Sequence, residues 1–361
     1  MKATTQLHAL GQSLWLDNIT RDLLDSGTLQ RYISDYCVTG LTSNPTIFDQ
    51  AISGTADYDA AIQQKVKEGK SGEALFFELA IEDLKRAAAL LRPVHAATGG
   101  VDGWVSLEVS PLLANDAAAT IEAAKRLHAS ADCPNLFIKI PGTPAGLHAI
   151  EETIFAGVPV NVTLLFSREQ YAAAADAYER GIERRIDADL DPKVNSVASI
   201  FISRWDKAIM KKASPELRNR LGVAIAKRTY TAYCARLASP QWKKLADDGA
   251  LTQRLLWAST GTKDPEIPEI YYLQNLAAPN TINTMPEKTL QALAASAGPL
   301  TAMPQDGGNA EVVLGEFAKA GFDVDALAAQ LQLEGAESFT KSWNDLLAMI
   351  ASKSEVANRS S

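Results

Sequence analysis

Asn135-Leu-Phe-Ile-Lys-Ile-Pro-Gly-Thr143 is a short run of apolar and β-branched residues around one lysine, closed by Pro141-Gly142. Pro-Gly punctuates a chain, so the run reads as a strand that ends in a turn. A bounded apolar run of this length is how a strand buried on both faces looks, and such strands belong to parallel sheets. Lys139, near the carboxyl end, is the residue out of place. Burying a charged amine is costly, and desolvation lowers its pKa from about 10.4 toward neutrality. An uncharged, positioned amine attacks a carbonyl carbon to form a Schiff base. Taken alone, the commoner reading is a lysine whose head escapes to solvent. The rest of the chain reverses that balance.

Outward from this run the pattern repeats. Apolar stretches at 14–20, 38–44, 103–110, 158–166, 194–203, 254–260 and 280–285 are each closed by a turn or breaker such as Pro45, Gly261 or Pro286. Helical stretches lie between them: 3–12, 21–36, about 46–100, 116–131, 143–155, 168–185 and 205–237, the last interrupted near Ser214-Pro215. Within the longest, Glu73 to Lys85 carries apolar residues at helical spacing. Ser167 reads as a cap, with Glu169-Gln170 close behind. After the eighth strand come helices at 286–295, about 309–320, 324–333 and 336–353, with a Gly/Pro-rich loop through Gly308. The tail, 354–361, is expected to fray.

Eight strands alternating with helices predict a (β/α)8 TIM barrel with additional helices. The expected organisation is one domain over 1–361, with the barrel core at about 14–295 and a C-terminal helical extension at about 305–355. The competing fold, an open doubly wound sheet, usually carries a glycine-rich first turn. Here that turn is Asp17-Asn-Ile-Thr-Arg-Asp22, with no glycine. Gly69-Lys70-Ser71 resembles the end of a phosphate loop, but Gln64 stands where the leading glycine belongs and the residues before it read as helix.

Composition removes several classes of function. The net charge of -8, with no basic tract, makes nucleic acid a poor partner. The 3 cysteines, Cys37, Cys133 and Cys234, are far apart and odd in number, which argues against a disulfide framework and against a zinc motif. The 4 histidines are equally scattered. No metal and no cofactor is expected. Met1 to His8 has no apolar region of signal-peptide type, and no apolar run reaches membrane length, so a cytoplasmic location and no membrane partner are expected.

In a barrel, residues at strand carboxyl ends converge on one face. Polar residues interrupt the apolar strands at similar depths: Asp17, Thr42 and Asn44, Glu108, Lys139, Asn161 and Thr163, Ser199 followed by Arg204, and Ser259. Buried polar groups cost stability unless paired, so a shared function accounts best for so many. The chemistry follows from residue types. Lys139 would form an imine with a keto sugar, and the protonated imine would draw electrons from the neighbouring C–C bond. Asp17 could take the hydroxyl proton that cleavage releases. Glu108 and Thr163 could shuttle protons to and from water. Arg204, Ser259 and Lys263 suit a phosphate.

The segments Gly40-Leu-Thr-Ser-Asn-Pro-Thr-Ile-Phe48, Val105-Ser-Leu-Glu-Val-Ser110, Phe137-Ile-Lys-Ile-Pro-Gly-Thr143, Val160-Asn-Val-Thr-Leu-Leu-Phe-Ser167 and Asn283-Thr-Met-Pro286 resemble the transaldolase family, in order, from about residue 14 to 290. Trp257-Ala-Ser-Thr-Gly-Thr-Lys263 resembles its long bacterial branch, related to the transaldolase part of fusions with glucose-6-phosphate isomerase. The resemblance implies Schiff-base transfer of a dihydroxyacetone unit in the pentose phosphate pathway. The donor would be sedoheptulose 7-phosphate and the acceptor glyceraldehyde 3-phosphate, giving erythrose 4-phosphate and fructose 6-phosphate. It implies Lys139 as the Schiff-base lysine, Asp17 as acid/base, Glu108 as the water-relay carboxylate and Thr163 as the water-positioning hydroxyl. Asn44 and Asn161 would contact the three-carbon unit, and Thr42 would bind substrate. Ser199, Phe201 and Arg204 match a Ser-x-Phe-x-x-Arg pattern. Many members of the family carry an arginine two residues after the serine equivalent to Ser259. Here Gly261 stands there, and Lys263 is the expected substitute. Partners are then sugar phosphate substrates, with the chain a monomer or homodimer. A class I aldolase acting on fructose 6-phosphate or a related sugar phosphate, and a non-catalytic barrel, are the alternatives. The C-terminal helices, through Phe339, Trp343, Leu346 and Leu347, are expected to cover part of the barrel mouth.

Overall fold

Residues 2–359 are described by the computed structural model. Eight parallel strands pair in chain order and close, the last against the first. They are β1 (Ser13–Asp17), β2 (Val38–Thr42), β3 (Trp104–Glu108), β4 (Leu136–Pro141), β5 (Val160–Leu165), β6 (Ser196–Phe201), β7 (Arg254–Ala258) and β8 (Thr281–Met285). Every residue of β2 to β6 and of β8 is buried. Helices cover the outside, and that double burial is why the strands read as unbroken apolar runs.

The two ends of the barrel differ chemically. At the amino end Trp15, Trp104 and Phe137 fill the interior, with ring centroids 6.2 Å apart for Trp15–Phe137 and 4.2 Å for Trp104–Phe137. Gly40 makes room for this plug, since a Cβ there would lie 2.4 Å from the Trp15 ring. The Trp15 indole N–H donates to Asp102 over 2.8 Å, which satisfies its one polar atom. With the amino end plugged by aromatics, the carboxyl end is left to polar side chains.

Local signals place the helices at the strand exits. Thr143 caps Pro144–Phe155, its hydroxyl accepting from the Gly146 N–H, with proline at the first turn. Ser167 and Gln170 form a reciprocal capping box on Arg168–Asp187. Several boundaries differ from the sequence reading. The stretch 21–36 is two helices, Arg21–Asp25 and Thr28–Tyr36, because Gly27 adopts a φ of 71°. The stretch 46–100 is three: Pro45–Gly54, Asp59–Lys67 and Gly72–Ala97. Pro240–Asp247 and Tyr271–Asn275 are additional helices, the first announced by an unread Ser239-Pro240 cap.

The C-terminal region holds the largest departure. The stretches 324–333 and 336–353 are one helix, Val324–Arg359, and it continues through most of the tail expected to fray; residues 360–361 lie outside the described residues. Gly335 does not end it. A glycine in a helix interior costs about 1 kcal/mol, and close packing explains its presence. A Cβ there would lie 2.9 Å from Leu164 Cδ2 and 3.3 Å from Arg204 Nη1. Trp343 on this helix is buried against Phe76 and Phe77, at 5.1 and 5.6 Å. The helix is therefore part of the core as well as part of the mouth. Among the described residues no helix is long and apolar enough to cross a membrane.

One buried carboxyl organises the region after β6. Asp206 accepts from the Leu221 N–H at 3.0 Å, from the Gly222 N–H at 3.3 Å and from the Tyr272 hydroxyl at 2.8 Å, tying the start of Leu221–Ala238 to Ser203–Ile209. Burial pushes its pKa up from 3.8 to about 6. The folded chain thus holds this proton more tightly than the unfolded chain. The resulting stabilisation is full below about pH 4 and is lost as pH rises through about 6. Asp206→Asn does not titrate, so its Tm should gain on that of wild type between pH 4 and 7 by scanning calorimetry. A Tm difference constant across that range would contradict the assignment.

Candidate active site

Strand register sets the floor of the site. Glu108 pairs with Lys139 across β3–β4, Lys139 with Asn161 across β4–β5, and Pro141 with Thr163 one step further on. Acid, amine and amide thus form one row at the carboxyl end. Lys139 Nζ lies 2.9 Å from Glu108 Oε2 and donates to the Ser43 carbonyl at 2.9 Å. Both side chains are almost completely buried. The sequence reading brought Lys139 and Glu108 to one face; the structure puts the two in direct contact and adds a carbonyl acceptor.

A cavity of about 350 Å³ opens above this row, a volume suited to a sugar phosphate. Of the residues singled out from the sequence, Asp17, Thr42, Asn44, Lys139, Thr163, Ser199, Phe201, Arg204, Ser259 and Lys263 line it. Glu108 and Asn161 do not; they lie beneath. Asn161 accepts from the Ser199 hydroxyl at 2.7 Å and donates to Ser106 Oγ at 3.2 Å, so both ends of its amide are engaged by neighbours. Asn44 Oδ1 caps Pro45–Gly54 by accepting from the Ile47 N–H. That fixes the amide and leaves its N–H₂ without a partner among the described residues. A larger cavity, about 470 Å³, opens among the strand starts at Ser13, Ser196 and Arg254, but no lysine or carboxylate lines it.

Charge is concentrated at the mouth. Burial pushes both Asp17 and Glu108 above their usual carboxylate values, against the nearby Lys139, which lowers them. Each therefore accepts a proton more readily than a free carboxylate, as an acid–base group requires. Thr42 donates to Asp17 Oδ1 at 2.8 Å and meets Thr284 Oγ1 at 2.6 Å. One hydroxyl has one proton, so Thr284 donates to Thr42 and Thr42 to Asp17. Arg204, half-buried, makes no hydrogen bond and no ion pair among the described residues. Partial desolvation and the Lys207 and Arg204 cations hold Lys263 below the usual lysine range. Thr163 Oγ1 and Glu108 Oε1 are buried without a hydrogen-bond partner among the described residues.

The backbone is unusual on two sides of the cavity. Leu164 and Ser259 take φ values of 58° and 54°, a region that costs a non-glycine residue about 1–3 kcal/mol. The β5–β6 register shifts between Val162 and Leu165, next to Thr163. Sequence reasoning passed over Thr284, which lines the cavity, and named Phe339 only as part of the expected cover of the mouth, whereas its side chain lines the cavity itself. Thr284 carried the same signal as its counterparts, a polar residue interrupting an apolar strand. Phe339 carried only the signal of an apolar position on a C-terminal helix, since nothing local ties residue 339 to particular strand ends.

The Transaldolase/Fructose-6-phosphate aldolase family model matches residues 14–350. A protein of Thiobacillus denitrificans named transaldolase is 42% identical over 358 residues, which cover 97% of this chain and 100% of that protein. A transaldolase of Acidothermus cellulolyticus is 42% identical over 363 residues, covering 98% of this chain and 97% of its own. The transaldolase 2 of Nostoc punctiforme is 37% identical over 370 residues, with 97% of each chain covered.

Proposed function

The chain belongs to the transaldolase/fructose-6-phosphate aldolase family and is a transferase of the transaldolase kind; on that premise we propose that Lys139 carries a dihydroxyacetone unit, as a Schiff base, from one sugar phosphate to another. One observation carries the reading. A buried amine 2.9 Å from a buried carboxylate forms the floor of a cavity whose rim presents an unpaired guanidinium.

In the proposed sequence, Lys139 passes a proton to Glu108 and its Nζ attacks the ketose carbonyl carbon. The carbinolamine loses water, with Glu108 returning a proton to the departing hydroxyl and Thr163 holding the water. Asp17 removes the proton of the C4 hydroxyl, the C3–C4 bond breaks, and its electron pair passes to the iminium. An aldose phosphate leaves. The resulting enamine on Lys139 attacks the carbonyl carbon of an acceptor aldose, and Asp17 gives its proton to the new hydroxyl. Water returns and hydrolysis frees the product ketose. Asn44 and Ser199 are placed to hold the hydroxyls of the three-carbon unit. Donor and acceptor are sedoheptulose 7-phosphate and glyceraldehyde 3-phosphate, with fructose 6-phosphate and erythrose 4-phosphate for the reverse. These are cytoplasmic metabolites, and the cytoplasm is the compartment we infer. All these groups come from a single chain, so one chain suffices for the site.

The test is acceptor dependence. With fructose 6-phosphate alone, a transferase stalls after one turnover. Added erythrose 4-phosphate should release sedoheptulose 7-phosphate and glyceraldehyde 3-phosphate at steady state. Equal turnover without acceptor, with free dihydroxyacetone accumulating, would identify an aldolase instead.

The phosphate reading makes its own prediction. Gly261 and Lys263 both line the cavity. Lys263→Ala should raise KM for fructose 6-phosphate about 3- to 10-fold with kcat nearly unchanged, because Arg204 remains and the lost cation contributes binding only. An unchanged KM would remove Lys263 from the phosphate site.

A further inference from the structure

Phe339 belongs to the C-terminal helix, 36 residues long, yet it lines the cavity at the barrel mouth. It is 4% exposed. Arg204 Cζ sits 5.7 Å from its centroid and 5.0 Å from that of Phe201, so the guanidinium touches two rings and no acceptor. The helix is keyed to this position. Gln332 donates to the Gly142 and Leu164 carbonyls, each at 3.0 Å, at the exits of β4 and β5. Gly335, one turn before Phe339, removes the side chain that would press on Arg204 Nη1.

We propose that Phe339 is a specificity-determining positioning residue, which with Phe201 clamps the Arg204 fork so that it stays unpaired and open to the phosphoryl group of the substrate. The clamp rests on the reading of Arg204 as the phosphoryl ligand. Its physical basis is simple. Ring faces attract a guanidinium without occupying its N–H donors. A carboxylate in the same place would hold Arg204 equally well but would compete with the phosphate. Glu334, on the same helix, is near enough to act on Arg204 through its charge, yet the rings hold the fork and no ion pair forms.

The quantity to measure is the ratio of kcat/KM for fructose 6-phosphate to that for fructose, at fixed erythrose 4-phosphate. A ratio cancels any common effect through Lys139, whose Nζ is 5.9 Å from the same ring. Phe339→Leu and Phe339→Met, apolar but without a ring, should each lower the ratio about 10-fold, mainly through KM for the phosphorylated donor. Phe339→Tyr and Phe339→Trp should hold it within about twofold of wild type. In an Arg204→Gln background, Phe339→Leu should change the ratio no further, since the clamp then holds nothing. If Arg204→Gln alone leaves the ratio unchanged, the phosphoryl reading fails and the clamp with it. If Arg204→Gln lowers the ratio but Phe339→Leu and Phe339→Met do not, or Phe339→Leu lowers it equally in both backgrounds, the clamp alone is overturned.

Discussion

Lys139→Arg should show no transaldolase turnover, a loss of at least about 10⁴-fold, while keeping the fold. Arginine preserves a positive charge opposite Glu108, so the buried carboxylate retains a partner. It cannot be deprotonated in a protein and so cannot form an imine. Lys139→Ala should be equally inactive but less stable, because it leaves Glu108 buried without its counter-charge, a change worth about 3–5 kcal/mol when the carboxylate must stay ionised. The pH dependence of that loss has a definite sign. Burial already raises the Glu108 pKa, and without Lys139 it rises further. The folded alanine variant then binds a proton that the unfolded chain releases above about pH 4.3, so its stability falls as pH rises from there. Thermal unfolding of the two variants at pH 5 and pH 8 checks this. An alanine variant as stable as the arginine variant at pH 8 would show that the pair contributes no electrostatic stabilisation.

Asp17→Asn should lower kcat about 10²- to 10⁴-fold without preventing imine formation. The asparagine oxygen can still accept from Thr42, and Thr42 still meets Thr284, so the local hydrogen-bond chain survives the change. What is lost is the group that removes the C4 hydroxyl proton. The two halves of the reaction therefore separate. Borohydride reduction of this variant with fructose 6-phosphate should trap the whole six-carbon phosphate on the protein, whereas wild type should yield the three-carbon fragment. A three-carbon adduct formed at the wild-type rate would assign the cleavage step to a different base.

The legible parts of this chain were those written locally. Each strand is a short apolar run with a breaker behind it, and double burial leaves little else that such a run can be. Closure into a barrel followed from the alternation with helices. The candidate site was legible where one polar residue interrupted one strand, as with Asp17 and Lys139, which line the cavity, and Glu108 and Asn161 beneath it. What one strand cannot show is its neighbour. The 2.9 Å contact between Lys139 and Glu108 depends on the β3–β4 register, and the engagement of both ends of the Asn161 amide depends on Ser106 and Ser199 from other strands. Gly335 misled for a related reason. A glycine normally weakens a helix, and only the proximity of Leu164 and Arg204 shows that its bare backbone is a packing requirement. Phe339 could be expected at the mouth, but its seat against Arg204 could not, because the helix that carries it takes its course from contacts made far along the chain.

The central claim is that one buried amine forms the covalent link to substrate. It is tested by reducing wild-type protein with borohydride in the presence of fructose 6-phosphate, followed by intact mass and peptide mapping. The account predicts one three-carbon adduct, on the peptide containing Lys139, and none in Lys139→Arg. No adduct, or an adduct on another lysine that persists in Lys139→Arg, would contradict it.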